Sequence, residues 1–195
     1  MSTIARISLE EYDRMIAGGA FDVRRPNRIE LIRGELRKMA PIGPEHEDAV
    51  DFLTEWSVQV KPRGVKVRVQ NSLGFAQLKT APQPDLAWVA SKRYSVRRPE
   101  AADVFLVIEV SYSSLRYDRG EKAKLYAKTG IRDYWIVNIP DRCVEVLRDP
   151  LRFRYRSLQT YVAGDAVRSL VFPEVSLDVA ALFESIEDPD DSSSL

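Results

Sequence analysis

Hydrophobic positions along this chain recur with two spacings, and the spacing switches from segment to segment. "SLEEYDRMIAGG" opens on a Ser8/Glu11 capping box and stops at Gly18-Gly19, which predicts a short helix between them. "RIELIRGELRKM" (28–39) holds two strand-like runs around Arg33-Gly34, a hairpin signal. In "PEHEDAVDFLTEWSVQV" (44–60), His46, Val50, Leu53, Trp56 or Ser57, and Val60 share one helical stripe. "VKVRVQNSLGFAQL" (65–78) alternates Val65, Val67 and Val69 on one face, as a half-buried strand does.

Further on, "PDLAWVA" (84–90) reads as a short apolar strand, and residues 104–110 as the strongest central strand. "DRGEKAKLYAKTG" (118–130) reads as a helix, with Asp118 and Glu121 as its capping box and Gly130 as its stop. "DYWIVNI" (133–139), "CVEVLRD" (143–149) and "FRYRSL" continue as a strand meander, and "VSLDVAALFES" (175–185) closes with a short strand or turn and a helix. There is no repeat and no long linker. The order predicts one α/β (α+β) domain over 1–186, a sheet flanked by helices.

Within this pattern Glu109 is out of place. It interrupts "VFLVIEV", where a carboxylate must be exposed, paired, neutralised or bound to a metal. Asp85 occupies a similar position 24 residues earlier, at the start of a short apolar strand. If the two strands are neighbours, their carboxylates lie side by side and repel unless a cation or proton sits between them. An oxygen-only site of that kind suits Mg²⁺ or Mn²⁺. Lys122 shares a helical stripe with Leu125, Tyr126 and Thr129, so it projects from the packed side, while Lys124 and Lys128 lie on another face. Glu30 sits inside the first hairpin strand as a further candidate, a solvated hairpin face being the alternative. His46 is the single histidine, which excludes a histidine-rich zinc site; a packed helix-start residue is its plainest reading, with a general base and a phosphate contact also open.

Composition adds little to this and removes several classes. The chain has 195 residues, 45% of them hydrophobic and 30% charged, as soluble domains do. One cysteine, Cys143, rules out a disulfide framework; placed in a strand, it reads as a small buried hydrophobe. No apolar run reaches membrane-span length and the N-terminus lacks a signal-peptide core, so no membrane partner and a cytoplasmic location are expected. No glycine-rich phosphate loop or G-x-S-x-G elbow occurs, and no organic cofactor is expected. Net charge is zero, but the tail "EDPDDSSSL" (187–195) is acidic and reads as disordered. Without it, 29 basic residues face 25 acidic ones, a mildly basic body that permits a nucleic-acid partner.

Pro84-Asp85 followed by a strand ending Glu109-Val110-Ser111 resembles the core of the PD-(D/E)xK nucleases, except that Ser111 stands where those proteins carry lysine. "EVSYSSLRYDRGEKAKLYAKTGIRDYWIVNI" resembles the Uma-type family of restriction-endonuclease-like proteins, whose D-x-x-x-K-x-x-x-Y helix falls here on Asp118, Lys122 and Tyr126. "IELIRGELRKMAPIGPEH" and "VFPEVSLDVAALF" are similar to that family's opening and closing segments, placing Glu30 and His46 on its motif positions. Arg33 departs from the usual acidic residue before the glycine.

The resemblance implies a restriction-endonuclease-like mixed central sheet and a DNA phosphodiesterase site whose lysine has moved to a helix. Asp85, Glu109, the Val110 carbonyl and Glu30 would hold Mg²⁺ or Mn²⁺, and Lys122 would orient water or offset developing charge. His46, Ser111, Asp118 and Tyr126 are auxiliary candidates. Arg24, Arg25, Arg28, Lys61, Arg63, Arg93, Arg97 and Arg98 are candidates for phosphate contacts. A homodimer would supply two sites for a duplex. Two other readings stay open: an inactive nuclease-fold binding or regulatory module, and a metal-dependent hydrolase of a smaller phosphoester.

Overall fold

A computed structural model describes residues 5–21 and 29–184. Its centre is a six-stranded mixed sheet in the order β3-β4-β5-β6-β7-β8. The strands are β3 (Val65–Val69), β4 (Leu86–Ala90), β5 (Val104–Ser111), β6 (Asp133–Asn138), β7 (Cys143–Leu151) and β8 (Arg154–Tyr161). Only β5 and β6 run parallel, which requires a crossover between them. The segment 115–129 supplies it as α3 (Leu115–Tyr117), a π-helical turn (Asp118–Lys122) and α4 (Ala123–Thr129).

Period-two alternation sorts the side chains of the central strands onto two faces. Leu86, Trp88, Leu106, Ile108, Val110, Trp135 and Val137 form one core with α2 (Pro44–Val60) and α5 (Val179–Glu184). Ala87, Val89, Val107, Tyr134 and Ile136 form the other, against Ala123 and Tyr126 of the crossover. Trp88 is fully buried, and its indole donates to Ser57 Oγ at 2.9 Å. Cys143 is buried, as its strand position predicts.

The N-terminal part forms a smaller layer. The Ser8/Glu11 capping box starts α1 (Leu9–Ala17), and Gly18 caps its end. β1 (Ile29–Ile32) and β2 (Glu35–Lys38) form the expected hairpin. Its turn holds Arg33 at φ 52° and Gly34 at φ 80°. A Cβ on Gly34 would come within 2.7 Å of Arg6 Cβ, so glycine is required there twice over. β9 (Ala166–Arg168) and β10 (Ser176–Asp178) pair separately.

Three expectations change. Strand β3 stops at Val69 because Gln70 adopts φ 49°. The crossover helix begins at Leu115, not Asp118, so Asp118 is not its cap: the carboxylate is buried and held elsewhere. Glu30 does not lie on a solvated hairpin face; β1 is covered on both sides, and Glu30 is 3% exposed. Arg24, Arg25, Arg28 and the tail 187–195 lie outside the described residues.

Candidate active site

The register of the antiparallel β4–β5 pair sets Leu86 opposite Ile108, which puts Asp85 across from Glu109 at one end of the sheet. Both carboxylates are nearly without solvent. The Val110 amide donates to Asp85 Oδ2 at 2.9 Å, and His46 Nε2 lies 3.2 Å from the same oxygen. His46 is therefore more than a packed helix-start residue. Pro44 pre-sets the first turn of α2, and that turn delivers the imidazole to Asp85.

Lys122 enters from the crossover, buried at 4% exposure. Its Nζ is 2.8 Å from Glu109 Oε2 and 3.7 Å from Asp118 Oδ1. Lys124 and Lys128 are exposed, as the helical stripe predicts. The other Glu109 oxygen accepts from the Tyr126 hydroxyl at 2.7 Å. Asp118 Oδ2 accepts from Ser111 Oγ at 2.7 Å and Ser114 Oγ at 2.6 Å. Ser111, in the position where a lysine is usual, thus serves to hold Asp118. The π turn carries Asp118 and Lys122 inward together, with Arg119 left outside to pair with Glu145.

Glu30 closes the site from β1. It accepts from the Tyr117 hydroxyl at 3.1 Å and from the Gln83 amide at 3.3 Å. Arg37, from β2, donates to Glu121 at 2.5 Å and lies against the Tyr117 ring. Tyr117, Arg37, Gln83 and Gln70, whose side chain reaches Asp85 Oδ1 at 3.5 Å, are additions that the sequence did not single out. Glu30, His46, Asp85, Glu109, Asp118 and Lys122 line a cleft of about 870 Å³. The loop 39–43, Tyr112 and Ser113 line it too.

Charge in this cleft is unbalanced. Burial pushes the Glu109 carboxyl up to about 8; Lys122 opposes the rise, while Asp118 and Asp85 add to it. Burial works to lower the Lys122 pKa, but Glu109, Asp118, Glu30 and Asp85 together raise it above its ordinary value. Burial also works against the Asp85 carboxylate, yet the His46 contact, Lys122 and the Val110 amide hold it below the usual range. Four buried carboxylates thus share one ammonium group. Asp118 Oδ1 and His46 Nδ1 are buried without a hydrogen-bond partner.

A hard divalent cation fits this donor set, since buried negative charge exceeds positive and every anionic ligand is oxygen. Among the described residues, however, no three His, Cys, Asp or Glu side chains converge into a ready-made cage. An ion here would keep several waters, as Mg²⁺ does.

The proposed phosphate-contact residues are dispersed. Lys61, Arg63 and Arg93 are exposed. Arg97 pairs with Asp103 at 2.9 Å, and Arg98 pairs with Asp13. Neither lines the cleft.

A mixed central sheet with helices on its faces is also the fold of a protein of known structure. That protein is described as a putative nuclease belonging to DUF820 from Anabaena variabilis ATCC 29413. The match covers 93% of this chain and 99% of that one, at a TM-score of 0.70 and 18% identity. The Uma2 family, described as "Putative restriction endonuclease", matches residues 9–180, and the chain belongs to that family. No curated protein matches it. Among the described residues no helix is long and apolar enough to cross a membrane.

Proposed function

We propose that this protein is a divalent-metal-dependent nuclease that hydrolyses phosphodiester bonds in DNA at the Asp85–Glu109 centre. The observation that carries the reading is four buried carboxylates, Glu30, Asp85, Glu109 and Asp118, gathered around the single ammonium of Lys122. Such an excess of buried negative charge costs stability unless a cation joins it. Family membership and the nuclease fold point the same way.

Asp85 and Glu109 would hold Mg²⁺ or Mn²⁺, with the Val110 carbonyl and Glu30 completing the protein's share. The bound ion would lower the pKa of a coordinated water and stabilise charge on the scissile phosphate. The chain's own groups do the rest. Lys122, held by Glu109 at 2.8 Å, places a fixed positive charge beside the reacting phosphate, where a preorganised charge is worth most. Tyr126 fixes the orientation of Glu109, and His46 with the Val110 amide fixes that of Asp85. Cutting both strands of a duplex takes two sites, which is the reason to expect a homodimer.

Isothermal titration of the full chain with Mn²⁺ tests this reading. It predicts a saturable site that Asp85→Asn and Glu109→Gln each abolish. Unchanged binding in both variants would remove the proposal.

A further inference from the structure

A cationic cluster stands apart from the acidic cleft. Lys66 and Arg68 alternate with Val65, Val67 and Val69 on edge strand β3. The valines face one core, so the two basic side chains share the opposite face. There they meet Tyr94, from the loop between β4 and β5. Four cationic groups crowd its ring: Arg68 Cζ at 5.6 Å from the centroid, Lys66 Nζ at 5.7 Å, and Lys92 Nζ and Arg97 Cζ at 5.9 Å. Arg93 is exposed between Lys92 and Tyr94 in the chain.

Two carboxylates answer this charge. Asp103 pairs with Lys92 at 2.5 Å and with Arg97 at 2.9 Å, and Glu100 is 3.6 Å from Arg97. Lys66 donates to the Lys92 carbonyl. Arg68 reaches the Ser72 carbonyl at 3.5 Å, and its Nε is buried without a partner. Of the four half-buried arginines among the described residues, Arg37, Arg98 and Arg148 each have a carboxylate partner; Arg68 has none. Burial, and then Arg98, hold its guanidinium below the ordinary pKa. A desolvated, unneutralised arginine among other cations is costly for the free protein. Ring faces offset part of that repulsion, and an arriving anion would offset the rest.

From the Lys66–Arg68–Tyr94 cluster we infer a second site, one that binds the backbone phosphates of nucleic acid outside the cleft. Position favours that ligand over an acidic protein. Lys66 and Arg68 on β3 lead to Gln70, just past the strand's end, whose backbone amide donates to the Asp85 carbonyl at 2.8 Å. Lys66 and Arg68 stand about 7 Å apart along the strand. Each nucleotide of a DNA strand carries one phosphate, so two cations in a row can meet successive phosphates of a backbone that continues toward the cleft. The choice of nucleic acid rests on the nuclease reading; the anion site itself does not.

The test is fluorescence anisotropy of a short labelled DNA duplex with the full chain, in EDTA so that nothing is cleaved, across a series of KCl concentrations. Lys66→Gln with Arg93→Gln removes two cations outside the core, and Arg68→Gln is a separate variant in case one folds poorly. The slope of log affinity against log salt should fall by about 0.9 for each phosphate that is no longer neutralised. Lys124→Gln with Lys128→Gln, on the exposed face of α4, should leave it unchanged. An unchanged slope in the cluster variants, or no duplex binding by the parent chain at low salt, would overturn the inference. Displacement of the duplex by polyglutamate at equal charge concentration would overturn it too, since it would mark an acidic-protein site. If metal-supplemented protein never cuts DNA yet the slope falls as expected, the nuclease reading fails and this one stands.

Discussion

Replacing Lys122 and replacing Glu109 should have unequal effects, although the two form one ion pair. Lys122→Met removes the only ammonium shared by Glu30, Asp85, Glu109 and Asp118. At an effective dielectric of about 20, a pair at 2.8 Å is worth about 6 kcal/mol and one at 3.7 Å about 4.5 kcal/mol before desolvation. Breaking a buried pair from one side costs about 3–5 kcal/mol net. At about 2–4 °C per kcal/mol for a chain of this size, Lys122→Met should lower Tm by about 10 °C in metal-free buffer. Glu109→Gln removes a carboxyl that burial already pushes up to about 8, largely protonated at pH 7, and leaves Lys122 with three carboxylates, so its cost should stay below about 1.5 kcal/mol. Thermal denaturation of both variants and the double variant, in EDTA, measures the asymmetry. Adding Glu109→Gln to Lys122→Met should cost little more, because without Lys122 burial and the neighbouring carboxylates already hold the Glu109 carboxyl neutral. Equal losses in the two single variants, or a Lys122→Met protein as stable as the parent, would refute the charge imbalance.

Other outcomes follow from the same contacts. Tyr126→Phe leaves one buried Glu109 oxygen without its donor, and should cost about 1–3 kcal/mol by urea denaturation. Ser111→Ala leaves Asp118 Oδ2 with Ser114 alone and should cost about 1 kcal/mol by the same assay. Lys122→Ala should bind Mn²⁺ nearly as the parent does in calorimetry, yet lose cleavage by about 10²-fold or more, with Lys124→Ala close to the parent. Saturating Mg²⁺ should raise the Tm of the parent chain and not of Glu109→Gln, with about 2.7 kcal/mol gained when the ion stands at about 100 times its Kd.

Where a function depended on local pattern, the sequence exposed it. The alternation in "VKVRV" and the apolar runs around Asp85 and Glu109 located three sheet strands, and the strand order put the two carboxylates opposite each other. Lys122 was readable from its share in the Leu125–Tyr126 stripe, even though it closes a π turn. The Asp118 role was obscured because D-x-x-E at the head of a helical pattern also reads as a capping box. Ser111 offered the missing signal, being a polar residue in a buried strand end that needs a partner. His46 meets Asp85 across 39 residues, and Tyr117 meets Glu30 across 87; no local periodicity encodes such pairings. Strands β9 and β10 have three residues each, too few for a period to show.

The central claim is tested most directly by incubating supercoiled plasmid with the full chain and Mn²⁺, beside Glu109→Gln and an EDTA control. The account predicts nicked or linear product from the parent chain alone. Supercoiled DNA left intact by a parent chain that binds Mn²⁺, or equal cutting by Glu109→Gln, would contradict it.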